Sequence, residues 1–445
     1  MTRRTGVRAL VLGVALSMLG AACGAADWPM FAENPDHTGR SPDTAITGSN
    51  ASTLAVLWKA ATGGPNDSSP VVATEPTTNR RMVFVGSANK SVQAYDALTG
   101  QRIWSTPTFG SVMTAPAVAN GIVYAGANDH VLYAFDKRTG ALRCTFLTSG
   151  EVLASATVAD PDGHGAIVYF GDSGPTGGED GGHVWAVNAV DPNPAADCSV
   201  RWSYSAFGSP PGSHPEAGSW SPPAFASDMF GRKMIVVGSS SNDDAVYALD
   251  AATGARFWRF QTAAGTDTDV GAGPTISPPG ANGFQHGVVY VAGKDNVVYA
   301  LDLTTGGLIW SFDMAKDSPT SVDAARSTAV LDGNRLYLGY GAGLYAFDAT
   351  TGAKLWKTQD RGFSTAEIIP AAAETGPSND PVLFAGDQVG KFYAFSPANG
   401  AKLWSYQTGR TINGSPSISD GVVYETSEDG NLYAFSPGGA QPSTR

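Results

Sequence analysis

The chain has 445 residues, a formal net charge of -12 and only 15% charged residues, with 54 Gly, 28 Pro and three Cys. A balance this acidic offers no basic face to neutralise phosphates, which excludes nucleic-acid binding as the main role. After residue 22 no apolar run approaches the roughly 20 residues needed to span a bilayer.

Arg3, Arg4 and Arg8 precede the apolar run Ala9 to Leu19, and the small residues Gly20-Ala21-Ala22 follow. That order describes a secretory signal peptide over residues 1–26, so the protein is expected to be exported, either secreted or lipid-anchored on the outer face of the cell membrane. Cys23 is placed like a lipidated lipoprotein cysteine, although Gly20 stands where that motif has Leu; cleavage after Ala26 is the competing site. Arg3-Arg4 is similar to a twin-arginine signal but lacks its Phe-Leu. Residues 27–52, from Asp27-Trp28-Pro29-Met30-Phe31 through His37-Thr38-Gly39, form a polar lead-in.

Residues 53–438 are organised by one repeated stretch, best seen at Val298-Tyr299-Ala300-Leu301-Asp302 through Thr305-Gly306 to Trp310: a strand, a tight turn and a second strand ending on Trp. Its central Ala recurs eight times, at Ala94, Ala134, Ala186, Ala248, Ala300, Ala346, Ala394 and Ala434. Such a period means an array of supersecondary units, which overrides the two or three domains suggested by length. Each unit reads as four short strands, A to D, rich in β-branched and aromatic residues and broken by Gly, Asn, Asp and Pro. Radial repetition of four-stranded antiparallel units is the β-propeller plan. The first strand D, Leu54 to Trp58, precedes any strand C, and the last strand C, around Ala434, has no D after it. The two ends therefore complete one blade and hide two sheet edges. The expectation is all-β: an eight-bladed propeller closed by its N-terminal strand, with a flexible tail at 439–445.

The repeat residues themselves read as structure. Asp96, Asp136, Asp250, Asp302 and Asp348 precede tight turns, where a carboxylate accepts backbone N–H groups, and the strand-D Trp packs between blades. In an antiparallel meander the D-to-A and B-to-C connections share one face. The long insertions Gly171 to Gly182, Tyr204 to Ser219, Gln261 to Gly271 and Phe312 to Arg326 all fall there, which makes it the candidate functional face. Strand A is innermost, so Asp67, Met113, Leu153, Trp220, Gly271, Ala325, Glu367 and Asn413 should rim a central channel. Trp220 is the one indole among them.

The Trp-Pro-x-Phe…His-Thr-Gly opening, the Tyr-Ala-x-Asp-x-x-Thr-Gly-x-x-x-Trp repeats and the closing strand together resemble the pyrroloquinoline quinone (PQQ) type propellers, over about residues 27 to 438. That family holds both quinoprotein dehydrogenases and cofactor-free scaffolds of the envelope. Within it, Gly218-Ser219-Trp220-Ser221-Pro222-Pro223, Ser239-Ser240-Ser241-Asn242, Asp267-Thr268-Asp269 and Gly293-Lys294-Asp295-Asn296 resemble, in order, four elements of the quinoprotein alcohol and polyvinyl alcohol dehydrogenases. The resemblance implies that Trp220 stacks under the quinone, that Asn242 binds calcium with Glu179 as its substitute partner, and that Asp267 or Asp269 is the catalytic base. It implies further cofactor contacts from Lys294 and Ser155. A flat quinone needs an apolar platform, a hard cation needs oxygen ligands, and a carboxylate must take the alcohol proton.

There are departures from the pattern. Ser173-Gly174-Pro175-Thr176 stands in place of the family's Ser-Gly-Ala-Glu calcium motif, and the vicinal cysteine pair and an early Arg are missing. No Cys-x-x-Cys-His occurs, so no haem is expected and electrons would leave to a separate acceptor. Two function classes follow: an exported quinoprotein that binds PQQ and calcium and oxidises a small or polymeric alcohol, or a cofactor-free propeller that docks envelope proteins. The six His have no metal-ligand spacing. Cys144 replaces the strand-D Trp of the second blade, and Cys198 sits in an insertion before the next strand D. The insertion can carry it back to Cys144, as a disulfide in an oxidising compartment or as two unrelated thiols.

Overall fold

The computed structural model describes residues 27–442 apart from 175–180, 191–196, 206, 208–217, 241–242, 263–267, 318–326, 342, 359–372 and 376–379. The chain folds into eight four-stranded antiparallel sheets, each paired in simple meander order. Blade one comprises Val71–Glu75, Arg80–Ser87, Ser91–Asp96 and Arg102–Pro107. Blade eight comprises Ser417–Ser419, Val422–Ser427 and Asn431–Pro437, and its outer strand is Leu54–Ala61 from the other end of the chain. No helix among the described residues is long and apolar enough to cross a membrane.

The repeat pattern has a direct packing cause. In every blade the central Ala of strand C lies opposite the Trp or Cys of strand D, from Ala94 opposite Trp104 to Ala434 opposite Trp58, and the register shifts beside each pair. A methyl on one strand leaves room for the bicyclic ring on the other. The indole then reaches the neighbouring blade: Trp58 Nε1 donates to Ala97 O at 3.0 Å, Trp104 to Lys137 O at 2.9 Å and Trp310 to Ala349 O at 3.0 Å. The turn glycine of that next blade lies against the ring, and a Cβ on Gly100 would come 2.6 Å from Trp58. Its φ of +68° also favours glycine, so one residue serves both turn and contact. The turn aspartates accept as expected; Asp96 Oδ1 takes the N–H and hydroxyl of Thr99 at 3.0 and 2.9 Å.

Two interfaces depart from this. Blade three lacks the Thr-Gly turn, and there Cys144 is disulfide-bonded to Cys198 with Cα atoms 6.2 Å apart. Blade eight lacks it too, and Trp404 packs edge-on against Phe435 at 5.2 Å instead.

The lead-in is more than a tether. It runs around the inner wall of the ring and bonds to the second residue of strand A in blade after blade. Trp28 pairs with Val72, Pro29 O accepts from Val118 N at 2.7 Å, and Pro35 O accepts from Phe225 N at 2.8 Å. Farther along, Asp36 O accepts from Ile276 N and Thr38 O from Leu331 N, both at 2.9 Å. Ser41 Oγ donates to Ile418 O at 3.2 Å. The strap thereby satisfies backbone groups that the innermost strands would otherwise leave facing the channel. His37, fully buried, reaches blade three at Thr157 Oγ1 and blade five at Pro274 O, 3.2 Å from each. Burial depresses its imidazole to about 4, so it stays neutral.

Candidate functional site

A cavity of about 200 Å³ opens at the channel mouth. Of the eight expected rim residues, Asp67, Met113, Leu153, Trp220, Gly271 and Asn413 line it; Ala325 and Glu367 lie outside the described residues. Phe31 of the strap also lines it, as does Ser155. The Ser155 hydroxyl accepts the Ala115 N–H at 2.9 Å, which ties strand A of blade three to that of blade two. On the far side of the cavity Asn413 Nδ2 bridges Asp67 Oδ1 at 3.0 Å and Glu428 Oε1 at 3.1 Å.

Trp220 and Lys294 come together on this face. Lys294 Nζ is 5.6 Å from the centroid of the Trp220 ring and 2.8 Å from Asp269 Oδ1, while Lys294 N donates to Asp269 O at 3.0 Å. An indole that is 36% exposed thus lies beside a largely buried ion pair. Asp267, Asn242 and Glu179 lie outside the described residues, as does Cys23.

Most other carboxylates of this face hold the scaffold. Asp129, Asp243, Asp295, Asp387 and Asp429 each accept the phenol of a tyrosine on the following strand C. In blade three the same place is taken by Asp172, which accepts Trp185 Nε1 at 3.0 Å. Ser149 and His183 gather there as well. Ser149 Oγ is 3.0 Å from His183 Nδ1, yet Asp172 Oδ1 also faces Nδ1, at 3.7 Å. A nucleophilic triad needs the two partners on opposite ring nitrogens, so this cluster is a lock between blades.

Asp244 belongs to neither group, and sequence reading missed it. It is 3% exposed, and its Oδ1 has no hydrogen-bond partner among the described residues. Burial raises its carboxyl; nearby Thr268 offsets this in part, and Asp269, Asp243 and Asp295 raise it further. The signal in the sequence was the run Asn242-Asp243-Asp244, two acids ending the connection that carries the expected calcium ligand. Among the described residues no three His, Cys, Asp or Glu side chains are close enough to hold a metal by themselves.

A family model described as outer membrane protein assembly factor BamB matches residues 42–238, 242–376 and 344–441. The chain is 24% identical to a polyvinylalcohol dehydrogenase of Sphingopyxis sp. over 472 aligned positions, covering 86% of this chain and 64% of that one. It is 27% identical to a quinoprotein ethanol dehydrogenase of Pseudomonas putida over 180 positions, 35% of this chain and 29% of that one. The chain thus spans less than two thirds of the length of these curated relatives. Among solved structures, a quinohemoprotein alcohol dehydrogenase from Comamonas testosteroni superposes with a TM-score of 0.74 at 18% identity, over 94% of this chain and 82% of that one. BamB from Moraxella catarrhalis superposes with a TM-score of 0.61 at 16% identity, over 86% and 99%. At these identities the structural likeness establishes the fold.

Proposed function

The chain belongs to the PQQ-type propeller family, and on that premise we propose that it is an exported quinoprotein that binds PQQ and calcium at the channel mouth and oxidises an alcohol. The observation that carries the reading is Lys294, held by Asp269 at 2.8 Å and by the face of Trp220 at 5.6 Å. An aromatic platform, an ammonium and carboxylates are the donor set that a flat, anionic, carbonyl-bearing cofactor and a hard cation require. When bound, the quinone supplies the two-electron acceptor for the carbinol hydrogen. Trp220 orients the ring plane. Lys294 would hold a ring carbonyl and supply positive charge beside that oxygen. Asp269 fixes the ammonium, which leaves Asp267, two residues earlier on the same connection, to take the hydroxyl proton of the substrate. A separate acceptor would be needed to take the electrons.

The test is reconstitution of the purified protein with PQQ and calcium, followed by its absorbance spectrum and dye-linked alcohol oxidation. Asp267→Ala should abolish oxidation while PQQ still binds, and Trp220→Ala should weaken PQQ binding itself. Lack of any quinone absorbance would defeat the reading.

A scaffold that docks envelope proteins is the second reading. It is favoured by the cavity volume of about 200 Å³, below the roughly 300–1,000 Å³ usual for small-molecule sites. It expects neither variant to change anything but stability.

A further inference from the structure

A second cavity lies at the other end of the channel. Its volume is about 450 Å³, more than twice that of the one beside Trp220, and within the roughly 300–1,000 Å³ usual for small-molecule sites. The strap forms one wall and the ends of strand A in blades five and six form the other, with Ile276, Pro278 and Leu331 as its apolar surface. Two side-chain bonds fix the rim. Arg40 Nε of the strap donates to Asp332 Oδ1 at 2.7 Å, and Asn282 Nδ2 of blade five donates to Gly333 O of blade six at 2.6 Å. These residues end or follow strand A, on the face opposite the D-to-A connections, so the cavity is remote from Trp220.

The unmatched acid of this cavity is Glu33. Arg40 and Asp332 answer each other, the charge that acts on Glu33 from the strap is Asp36, and no cation is paired with Glu33 among the described residues. Asn34 reaches its carboxyl and is itself fixed by Thr38, whose N–H it accepts at 3.1 Å. The strap holds Glu33 at a φ of +77°, beside Ala32 at +51°, in a left-handed turn that glycine makes with less strain. A half-buried carboxylate kept in such a backbone, without a countercharge and at the wall of an apolar cavity, calls for a reason outside folding.

We propose that this cavity binds a small organic ammonium ion, with Glu33 as its counterion and Ile276, Pro278 and Leu331 against its carbon chain. A monocation is the class that fits, because Arg40 is already matched by Asp332 and an anion would meet Glu33 and Asp36. A bare metal ion is a poor match for a wall this apolar, whereas an alkyl ammonium suits both the carboxylate and its surroundings. Burial, with a further push from Asp36 and an opposing pull from Asn34, raises the Glu33 carboxyl from 4.5 to about 7, so it sheds a proton to pair with the cation. The inference is independent of the quinoprotein reading, since no group of the channel mouth takes part.

The experiment is calorimetric titration of the purified full chain with n-hexylammonium chloride at pH 5.5 and pH 8, with hexanol and hexanoate as uncharged and anionic matches. The ammonium should bind about ten-fold or more tightly than either match. Its affinity should rise by about ten-fold or more from the lower pH to the higher, as Glu33 ionises. Glu33→Gln should weaken it by a similar factor and leave only the pH dependence of Asp36, whose carboxyl burial lifts to about 6. Glu33→Gly should relieve the turn and raise the melting temperature while abolishing binding, which keeps loss of the site distinct from loss of the fold. Ala281→Trp, which narrows the cavity from blade five without changing any charge, should also weaken binding, and Trp220→Ala should not. Hexanol bound as tightly as the ammonium, an affinity indifferent to Glu33, or one lost in Trp220→Ala instead overturns the proposal.

Discussion

Cys144 is bonded to Cys198 at the interface where neighbouring blades hold an indole against a turn glycine. The covalent link stands in for the Trp and the Gly together, since blade three has Asn188-Ala189-Val190 where others have Asp-x-x-Thr-Gly. Reduction, or Cys144→Ser with Cys198→Ser, should therefore cost about 2–4 kcal/mol. Thermal unfolding with and without reductant checks this, and a melting curve indifferent to reductant would refute it.

Gly352 and Trp310 should behave as one unit. A Cβ at residue 352 would lie 2.6 Å from the Trp310 ring, and the glycine φ is +72°. Gly352→Ala should destabilise by about 1–2 kcal/mol through the left-handed backbone alone. Trp310→Ala should cost about 3–5 kcal/mol through the cavity it leaves. In a double-mutant cycle the two should fall short of additivity, because the indole that obstructs the new methyl has gone.

Glu425 occupies a strand-B position that holds Val85, Ala125, Phe170 or Val237 in other blades, and it is fully buried with only Oε1 engaged, by Thr426 N at 2.9 Å. Burial pushes its carboxyl well above the ordinary 4.5. A raised acid binds its proton more tightly when folded, so its contribution is complete below pH 4.5 and is lost as the pH rises through the folded value. Glu425→Gln should be more stable than the wild type at pH 8 and no better at pH 4, by chemical denaturation at the two values.

His37 has the opposite sign. Its pKa falls from 6.5 to about 4 on folding, so the unfolded chain binds the extra proton between those values. Stability from the neutral ring is complete above pH 6.5 and drains away as the pH falls toward 4. His37→Asn should flatten the acid limb of the stability profile at a constant cost near neutrality. An acid limb identical to the wild type would show that the strap does not depend on this ring.

Lys294→Met should leave Asp269, 1% exposed, without its ammonium. A cost of about 3–5 kcal/mol is expected for half of a buried pair, and Asp269→Asn in the same chain should recover much of it. Equilibrium unfolding of the single and double variants separates this effect from any change in ligand binding.

The eight-fold plan was legible because the Ala-to-Trp pairing is both a sequence period and a contact, and the closing strand followed from counting Trp58 against Ala434. The rim was legible for the same reason: innermost strands begin at fixed offsets from a Pro, which put Met113, Leu153 and Trp220 on one cavity. Ser155 was legible as a position, but its hydroxyl is engaged by Ala115 N, a bond between blades that no local pattern encodes. Asp244 could not be told from Asp243 by sequence, because which of two adjacent acids meets Arg259 depends on how the connection turns. The strap was hidden for a similar reason. Its bonds run from backbone to backbone and leave no periodic side chain to read.

That strap has a kinetic consequence. His37 finds its partners 120 and 237 residues later in the chain, and Ser41 finds Ile418 after 377. Trp28 can pair with Val72 early, but His37 and Ser41 reach their native partners only once the fifth and the eighth blades have been made. Contacts of such separation slow folding because loop closure precedes any reward. During that interval the inner strands present open edges to one another and to other chains. A polar lead-in with three prolines, Pro29, Pro35 and Pro42, pairs poorly with stray strands meanwhile, so the segment that completes the molecule is also poorly suited to joining the wrong one.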